Sequence, residues 1–445
     1  MELRVPMATN RQFRRSFCAL LLMASSLFAQ TSSGKTVRHH RVSVEDQLQT
    51  AELGQAESAI EKKDYATAEP LLKKVVAAQP ASYQAWFDLG FVYNALGRID
   101  ESIAAYRKSV AAKPDVFESN LNLGLMLAKN KQPGAEEFLK AATRLKPESH
   151  GDEGHARAWL SLARVLEDAD PAQALEAYRQ GSALSPKDPE PRLAAGMLLE
   201  KQGKFADAEE QYKQVLTLDP GSQDALVGLA NVYMRGQRFP DAEEYLRKVA
   251  SQRPNEAAPH LQLGRVLAAD QKYNDAIAEL QAGLKIMPGD VSAQRDLADV
   301  YLNAAKYVEA ETLCRSLLLT HPQDAELHHQ LGRALLKQRK FSQAEQEFLA
   351  ADKLKPDWGL AYGDLAVAAN EAQHYPLAIQ ALDTRAKYLP EIPVGYFLRA
   401  TAYDHLRDYH QAAANYHLFL QVADGKYPDQ EWQARHRLIT IEPKK

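Results

Sequence analysis

Apolar and polar positions alternate along this chain with the period of a helix, again and again. In KFADAEEQYKQVLTLDP, Lys204 to Pro220, apolar residues return every three or four positions, which places them on one helical stripe. Proline ends the run because its nitrogen has no proton to donate to the next hydrogen bond. KYNDAIAELQAGLKIMP from Lys272 and KFSQAEQEFLAADKLKP from Lys340 follow the same pattern. The three starts are evenly spaced, and each interval holds two copies of a shorter unit.

With Pro189 as position 1, seven blocks of equal length follow without a gap to Lys426. Position 8 reads Gly196, Ala230, Gly264, Ala298, Gly332, Ala366 and Ala400, and position 20 is alanine in every block, from Ala208 to Ala412. Position 17 is Phe or Tyr throughout, and position 32 is Pro in all but the last block, where it is Asp424. Each block predicts two helices, roughly positions 2–14 and 18–31. Positions 4, 7, 8 and 11 form the core stripe of the first helix, and the small residues at 8 and 20 let backbones approach. Upstream, Tyr83 opens a full block with Trp86, Leu89, Gly90, Tyr93, Gly97, Tyr106 and Pro114 in register, and a weaker block opens at Gln49. Blocks opening at Phe117 and Ala156 each lack one residue at the turn between helices. An insertion, roughly His150 to His155, separates them.

These residues resemble the tetratricopeptide repeat (TPR), a pair of antiparallel helices in about 34 residues. The resemblance covers about nine-tenths of the chain, as eleven repeats starting near 49, 83, 117, 156, 189, 223, 257, 291, 325, 359 and 393. It implies an all-α fold, a right-handed superhelical solenoid of antiparallel helix pairs, over residues 49–426. Each pair leaves an apolar face that the next covers, so the terminal repeats need caps. Residues 427–445 predict a final capping helix and tail, with Glu431, Arg435 and Arg437 suited to meet water.

The N-terminus is a different object. Arg4, Arg11, Arg14 and Arg15 precede the apolar run CALLLMASSLFA, Cys18 to Ala29, and polar residues follow. That order is an export signal, 1–29, with a polar linker at 30–48. The run is shorter than the roughly 20 residues of a membrane span, so no span is expected after cleavage. Cys18 starts the run rather than following it, which excludes a lipid anchor. Arg14-Arg15-Ser16-Phe17 resembles the core of a twin-arginine signal, and both that route and the general secretory route stay open. The chain is therefore expected to be periplasmic or secreted. Removing 1–29 takes away four Arg and one Glu, leaving 50 basic and 57 acidic residues, a net charge of −7 that gives no support to nucleic-acid binding. One cysteine then remains, Cys314, at a core position, so no intramolecular disulfide can form.

Catalytic patterns such as HExxH, CxxC, GxSxG and the phosphate-binding loop are missing, and no segment outside the repeats could house a catalytic domain. No enzyme activity, metal or cofactor is expected. The adjacent pairs His39-His40 and His328-His329 are poor metal sites, because neighbouring helical residues point to different sides.

What remains is the groove that the first helices would line. Positions 2, 5, 9 and 12 lie on the stripe away from the core. Positions 5 and 9 read Phe87/Phe91, Leu121/Leu125, Leu160/Arg164, Leu193/Met197 and Val227/Asn231, then Leu261/Arg265, Arg295/Asp299 and His329/Arg333. The groove is thus expected to run from an apolar strip, Phe87, Phe91, Leu121 and Leu125, through Arg164, Met197 and Asn231 to a polar stretch of Arg265, Arg295, Asp299, His329 and Arg333. A protein or peptide segment would lay apolar side chains on the strip and acidic groups near the arginines. The alternative is that these residues satisfy one another between repeats. Some TPR domains grip a C-terminal carboxylate with Lys, Asn and Arg at set positions of three consecutive repeats, and no three repeats here carry that set. Two functions fit: a non-catalytic exported scaffold for protein segments, or a permanent structural subunit of a cell-envelope assembly or secretion machine.

Overall fold

A computed structural model describes residues 51–147 and 151–442. The expected export signal, the linker and the last residues of the tail lie outside these. Twenty-three helices occupy the described residues. In chain order they are α1 (Ala51–Glu61), α2 (Tyr65–Ala78), α3 (Tyr83–Ala95), α4 (Ile99–Ala112), α5 (Phe117–Lys129), α6 (Ala135–Ala142), α7 (Gly151–Leu166), α8 (Pro171–Leu184), α9 (Glu190–Lys201), α10 (Phe205–Leu218) and α11 (Gln223–Arg235). There follow α12 (Phe239–Gln252), α13 (Ala257–Ala269), α14 (Tyr273–Ile286), α15 (Val291–Asn303), α16 (Tyr307–Leu318), α17 (Ala325–Lys337), α18 (Phe341–Leu354), α19 (Gly359–Glu371), α20 (Tyr375–Ala386), α21 (Pro393–His405), α22 (Tyr409–Ala423) and α23 (Pro428–Ile441). The odd-numbered helices up to α21 are the first helices of the eleven blocks. The even-numbered ones are the second helices, and α23 closes the series.

The chain divides into two compact units, with α1–α11 in one and α12–α23 in the other. Within each, consecutive helices pack against each other and first helices also touch the next first helix. The fold is therefore all-α and built by stacking repeats, with its core running along each unit.

Three local devices set the geometry. Position 15 closes the first helix in the left-handed region: Gly97, Gln271, Ala305, Arg339, Gln373 and Arg407 all have φ between 60 and 74°. The next amide then reaches back five residues, as in Arg98 N–H to Tyr93 O at 2.8 Å and Lys272 N–H to Leu267 O at 2.8 Å, a Schellman closure that satisfies otherwise orphaned carbonyls. At position 8, Gly332 is pressed on the ring of Phe348, and a Cβ there would lie 2.7 Å from the ring's Cε1. The position-20 alanines, from Ala208 to Ala412, are fully buried.

The third device joins repeats. The side chain at position 4 donates to the carbonyl of the proline six residues earlier, at the end of the preceding second helix. Trp86 Nε1 reaches Pro80 O at 2.9 Å, Asn120 Nδ2 reaches Pro114 O at 2.8 Å and Arg192 Nη1 reaches Pro186 O at 3.3 Å. In the other unit Gln294 Nε2 reaches Pro288 O at 2.7 Å and Tyr362 Oη reaches Pro356 O at 3.2 Å, while His260 and His328 turn Nε2 to Pro254 O and Pro322 O. Position 4 is therefore a tether rather than a plain core position.

One expectation needs correction, and one is refined. The insertion expected at roughly His150 to His155 is helical from Gly151 onward, where α7 already runs as a helix of 16 residues. His155 turns Nε2 to Leu145 O and sets its ring edge-on to Phe117, which holds this extra turn in place. Glu431 on α23 does not meet water: it is buried, with Oε2 accepting from Arg435 at 2.9 Å. Arg437 does cap, through two bonds to Asp404 at 2.6 and 2.8 Å.

Candidate functional site

The first-helix faces carry every residue singled out for partner binding, and the structure separates them into groups. Phe87 is buried at 2% exposure, with its ring edge-on to Tyr106 at 5.7 Å. Leu121 and Leu125 are buried in a cluster with Leu139, Ala158, Leu160 and Leu162. Phe91 is half-buried and meets Tyr65 edge-on at 6.4 Å. The strip expected to face a groove is thus largely core. Phe87 and Leu121, both at position 5, pack with the large side chains of their own second helices, Tyr106 and Leu139. Arg164 pairs with Glu190 one repeat later. Asn231 is half-buried, and Met197 is exposed at 39%.

The polar stretch lies wholly within the second unit, and it is a ladder of bonds between repeats. Arg265 Nε meets Asp296 Oδ2 at 2.7 Å. Arg295 meets Asp324 at 2.6 Å and Glu326 at 3.2 Å. Arg333 meets Asp299 at 3.4 Å, and His329 Nε2 meets Asp364 Oδ2 at 2.8 Å. Gln330 adds a bond from Nε2 to Arg295 O at 3.1 Å. His329 is further packed between the rings of Phe348 and Trp358. The arginines expected to receive acidic groups of a partner are therefore held by carboxylates of this chain.

Burial raises the pKa of Asp296 and Asp299 above the usual carboxylate range, although Arg265 and Arg333 oppose it. Burial would raise Asp364 too, but the His329 hydrogen bond and charge, with Arg333 and Lys337, hold it below. Behind Asp364 lies Asp352 on α18. It is 6% exposed, neither carboxylate oxygen has a hydrogen-bond partner, and burial followed by the neighbouring Asp364 charge pushes it up to about 7. The apolar pattern of α18 gave no hint of a lone buried carboxylate.

His328 turns away from His329, to Pro322 O and, through Nδ1, to Glu347 at 2.7 Å. Cys314 is fully buried, and burial pushes its thiol up to about 12, so it packs as a small apolar group. No helix among the described residues is long and apolar enough to cross a membrane.

Stacked helix pairs with a common register define a class, the helical repeat protein. Two family profiles, each described as Tetratricopeptide repeat, match this chain, one over residues 199–263 and 267–334 and the other over 53–117, 95–150 and 329–392. The chain belongs to the tetratricopeptide repeat family. No curated protein matches it. Among solved structures it is similar to YrrB, described as a TPR protein with an unusual peptide-binding site (21% identity, 42% of this chain and 96% of that one, TM-score 0.38). It is also similar to the Cut9–Hcn1 hetero-tetramer of the APC/C (14% identity, 88% and 97%, TM-score 0.42). A third is the C-terminal part of a TPR repeat-containing protein from Cytophaga hutchinsonii (15% identity, 54% and 97%, TM-score 0.46). TPR repeats mark a protein–protein interaction scaffold, and TPR proteins bind protein or peptide partners.

Proposed function

We propose that this chain is an exported, non-catalytic scaffold that holds segments of other proteins in a groove lined by first helices. The observation that carries the reading is the tandem stack itself. Each repeat spends its apolar residues on its neighbours, while the first helices of each unit still present side chains to a partner, Met197 on α9 in one and Glu326 on α17 in the other. Export rests on the sequence of residues 1–29. The test is a photo-crosslinker at Met197 in cells of the source organism, with the crosslinked peptides identified. Recovery of one partner segment, and a mature N-terminus near Gln30, are expected. A full-length cytoplasmic chain would end the export part, and no specific adduct would end the groove part.

A second reading, a fixed subunit of an envelope assembly, is favoured by the last helix. Trp432 is exposed at 57% and Ile439 at 68%, two turns apart on one side of α23. A crosslinker at Trp432 that captured one constant neighbour, with none at Met197, would favour this reading.

A further inference from the structure

We infer that a carboxylate of the docked segment enters the second unit at Gly363 on α19, where Arg385 of α20 receives it. The inference rests on the scaffold reading above and gives one point of its groove a chemistry. Its basis is an exchange of sizes between positions 5 and 27. In the repeat of α13 and α14 Leu261 fills position 5 and position 27 is Gly283, where a Cβ would run into Leu261. In the repeat of α19 and α20 the order is reversed: position 5 is Gly363 and position 27 is Arg385. Val215, Val249 and Ala351 hold position 27 elsewhere, all buried. Packing does not demand the glycine. A Cβ at 363 would lie 3.5 Å from Cδ and Nε of Arg385, an ordinary contact, whereas at Gly332 it would strike a ring. Glycine inside a helix is unfavourable relative to alanine. What it gives here is access, because Gly363 is half-buried and no side chain covers the guanidinium from the first-helix side.

A second observation is the state of Arg385 itself. It is 7% exposed, and its one hydrogen bond runs from Nη1 to Pro390 O at 3.0 Å. No carboxylate of the described residues pairs with it. The nearby acids belong to Arg399, whose Nη2 donates to Glu391 Oε1 at 2.7 Å and meets Asp383 Oδ1 at 3.2 Å. Glu391 Oε2 lies against Gly395 without a donor. Burial lowers the proton affinity of Arg385; the Glu391 charge opposes this and the Arg399 charge adds to it. A buried cation without a counter-charge is unfavourable, and an incoming anion relieves it. With Nη1 engaged, the free edge of the guanidinium is Nε and Nη2, the pair of donors that matches the two oxygens of a carboxylate. Nε is the nitrogen beside Gly363. Asp364, the next residue on α19, is already held by His329 at 2.8 Å. Arg265, Arg295 and Arg333 are each spent on the chain's own carboxylates, so Arg385 differs from them in having its charge to offer.

The experiment measures fluorescence anisotropy of the purified protein with three fluorescein-labelled peptides. One alternates glutamate and serine and is amidated at its C-terminus. The second alternates glutamine and serine and is also amidated, and the third is the second with a free C-terminal carboxylate. A carboxylate-bearing peptide should bind and the neutral one should not; the first against the third tells a side-chain carboxylate from a terminal one. Arg385→Gln should weaken that binding by about tenfold, roughly 1.4 kcal/mol. Gly363→Ala keeps the arginine, suits a helix and narrows the approach, so it should weaken binding while melting like the parent. A control, Arg247→Gln, removes the same charge from an exposed position on α12 and should leave binding unchanged. Equal loss in the control would reduce the effect to net charge and overturn the inference. So would equal binding of the neutral peptide, no binding of either carboxylate peptide, or unchanged affinity in both Arg385→Gln and Gly363→Ala. Any of these, with a partner still captured at Met197, would sink this inference and leave the scaffold reading standing.

Discussion

Gly332 of α17 and Phe348 of α18 are fitted to each other: the ring occupies the space where a side chain at 332 would begin, 2.7 Å from its Cβ. Gly90 and Tyr106 repeat the relation, with 2.8 Å to the ring. Elsewhere the chain makes the opposite choice, and Ala298 faces the smaller Cys314 in one cluster, both fully buried. In these three repeats the residue at position 8 is smallest where the one at position 24 is an aromatic ring.

Gly332→Ala should therefore destabilise the protein by about 1–3 kcal/mol, the usual cost of overpacking. Adding Phe348→Leu should recover part of that loss, because Leu already faces Ala at Ala366 and Leu382. Urea midpoints of the parent and the two variants test it. A single variant as stable as the parent would disprove the pairing.

The turn between helices makes a cheaper target. Ala305 holds a φ of 60° at the end of α15, a conformation that strains any residue with a Cβ. Ala305→Gly should raise stability by about 1 kcal/mol, the left-handed strain removed less the entropy glycine loses on folding. Pro cannot serve there, since its ring locks φ in the negative region. A lower thermal midpoint for the glycine variant would contradict the assigned backbone.

Asp352 ties stability to pH. Its folded pKa, about 7, lies above the 3.8 of an ordinary aspartate, so the fold prefers the protonated form. The sign follows directly: this contribution is fully present below the unfolded value and is lost as pH rises toward and through 7. Between pH 5 and 8 the parent should lose on the order of 2 kcal/mol that Asp352→Asn does not lose, within the roughly 1–3 kcal/mol of one unsatisfied buried polar group. Asp296 and Asp299 are shifted in the same direction and titrate in both proteins, so only the difference between the two curves is read. Parallel curves would show that Asp352 finds a partner in solution.

The repeat was legible because its signals are one-residue decisions taken many times: alanine at Ala276 and Ala344, proline at Pro288 and Pro356. Helix type and register follow from those alone. The tether at position 4 was not legible, because Trp86, Asn120, Arg192, His260, Gln294 and Tyr362 share no side chain, only a proton to donate. The left-handed turn was hidden for the same reason, since Gly97 and Gly203 obey the glycine rule while Gln271 and Arg339 do not. The candidate face was read in part. Periodicity gives the direction in which Arg265, Arg295 and Arg333 leave their helices. It does not give the carboxylates that meet them, Asp296, Glu326 and Asp299, which belong to neighbouring repeats.

The same limit governs the apolar strip, and a substitution can show it. Phe91 and Leu125 stand at equivalent places on α3 and α5. Helical period alone puts both away from the core, where they would serve a partner and cost the fold nothing. In the structure Leu125 is 8% exposed among Leu139, Leu160 and Leu162, and Phe91 rests on Tyr65. Replacing both by Ser removes apolar burial and leaves a hydroxyl at each place, so the cost should approach that of large-to-small core changes, about 2–5 kcal/mol for each fully buried side chain and less for the half-buried Phe91. The double variant should melt earlier and expose dye-binding apolar surface. Parent-like melting, combined with loss of a crosslinked partner at Met197, would return these two residues to the binding face and reverse the assignment made from their burial.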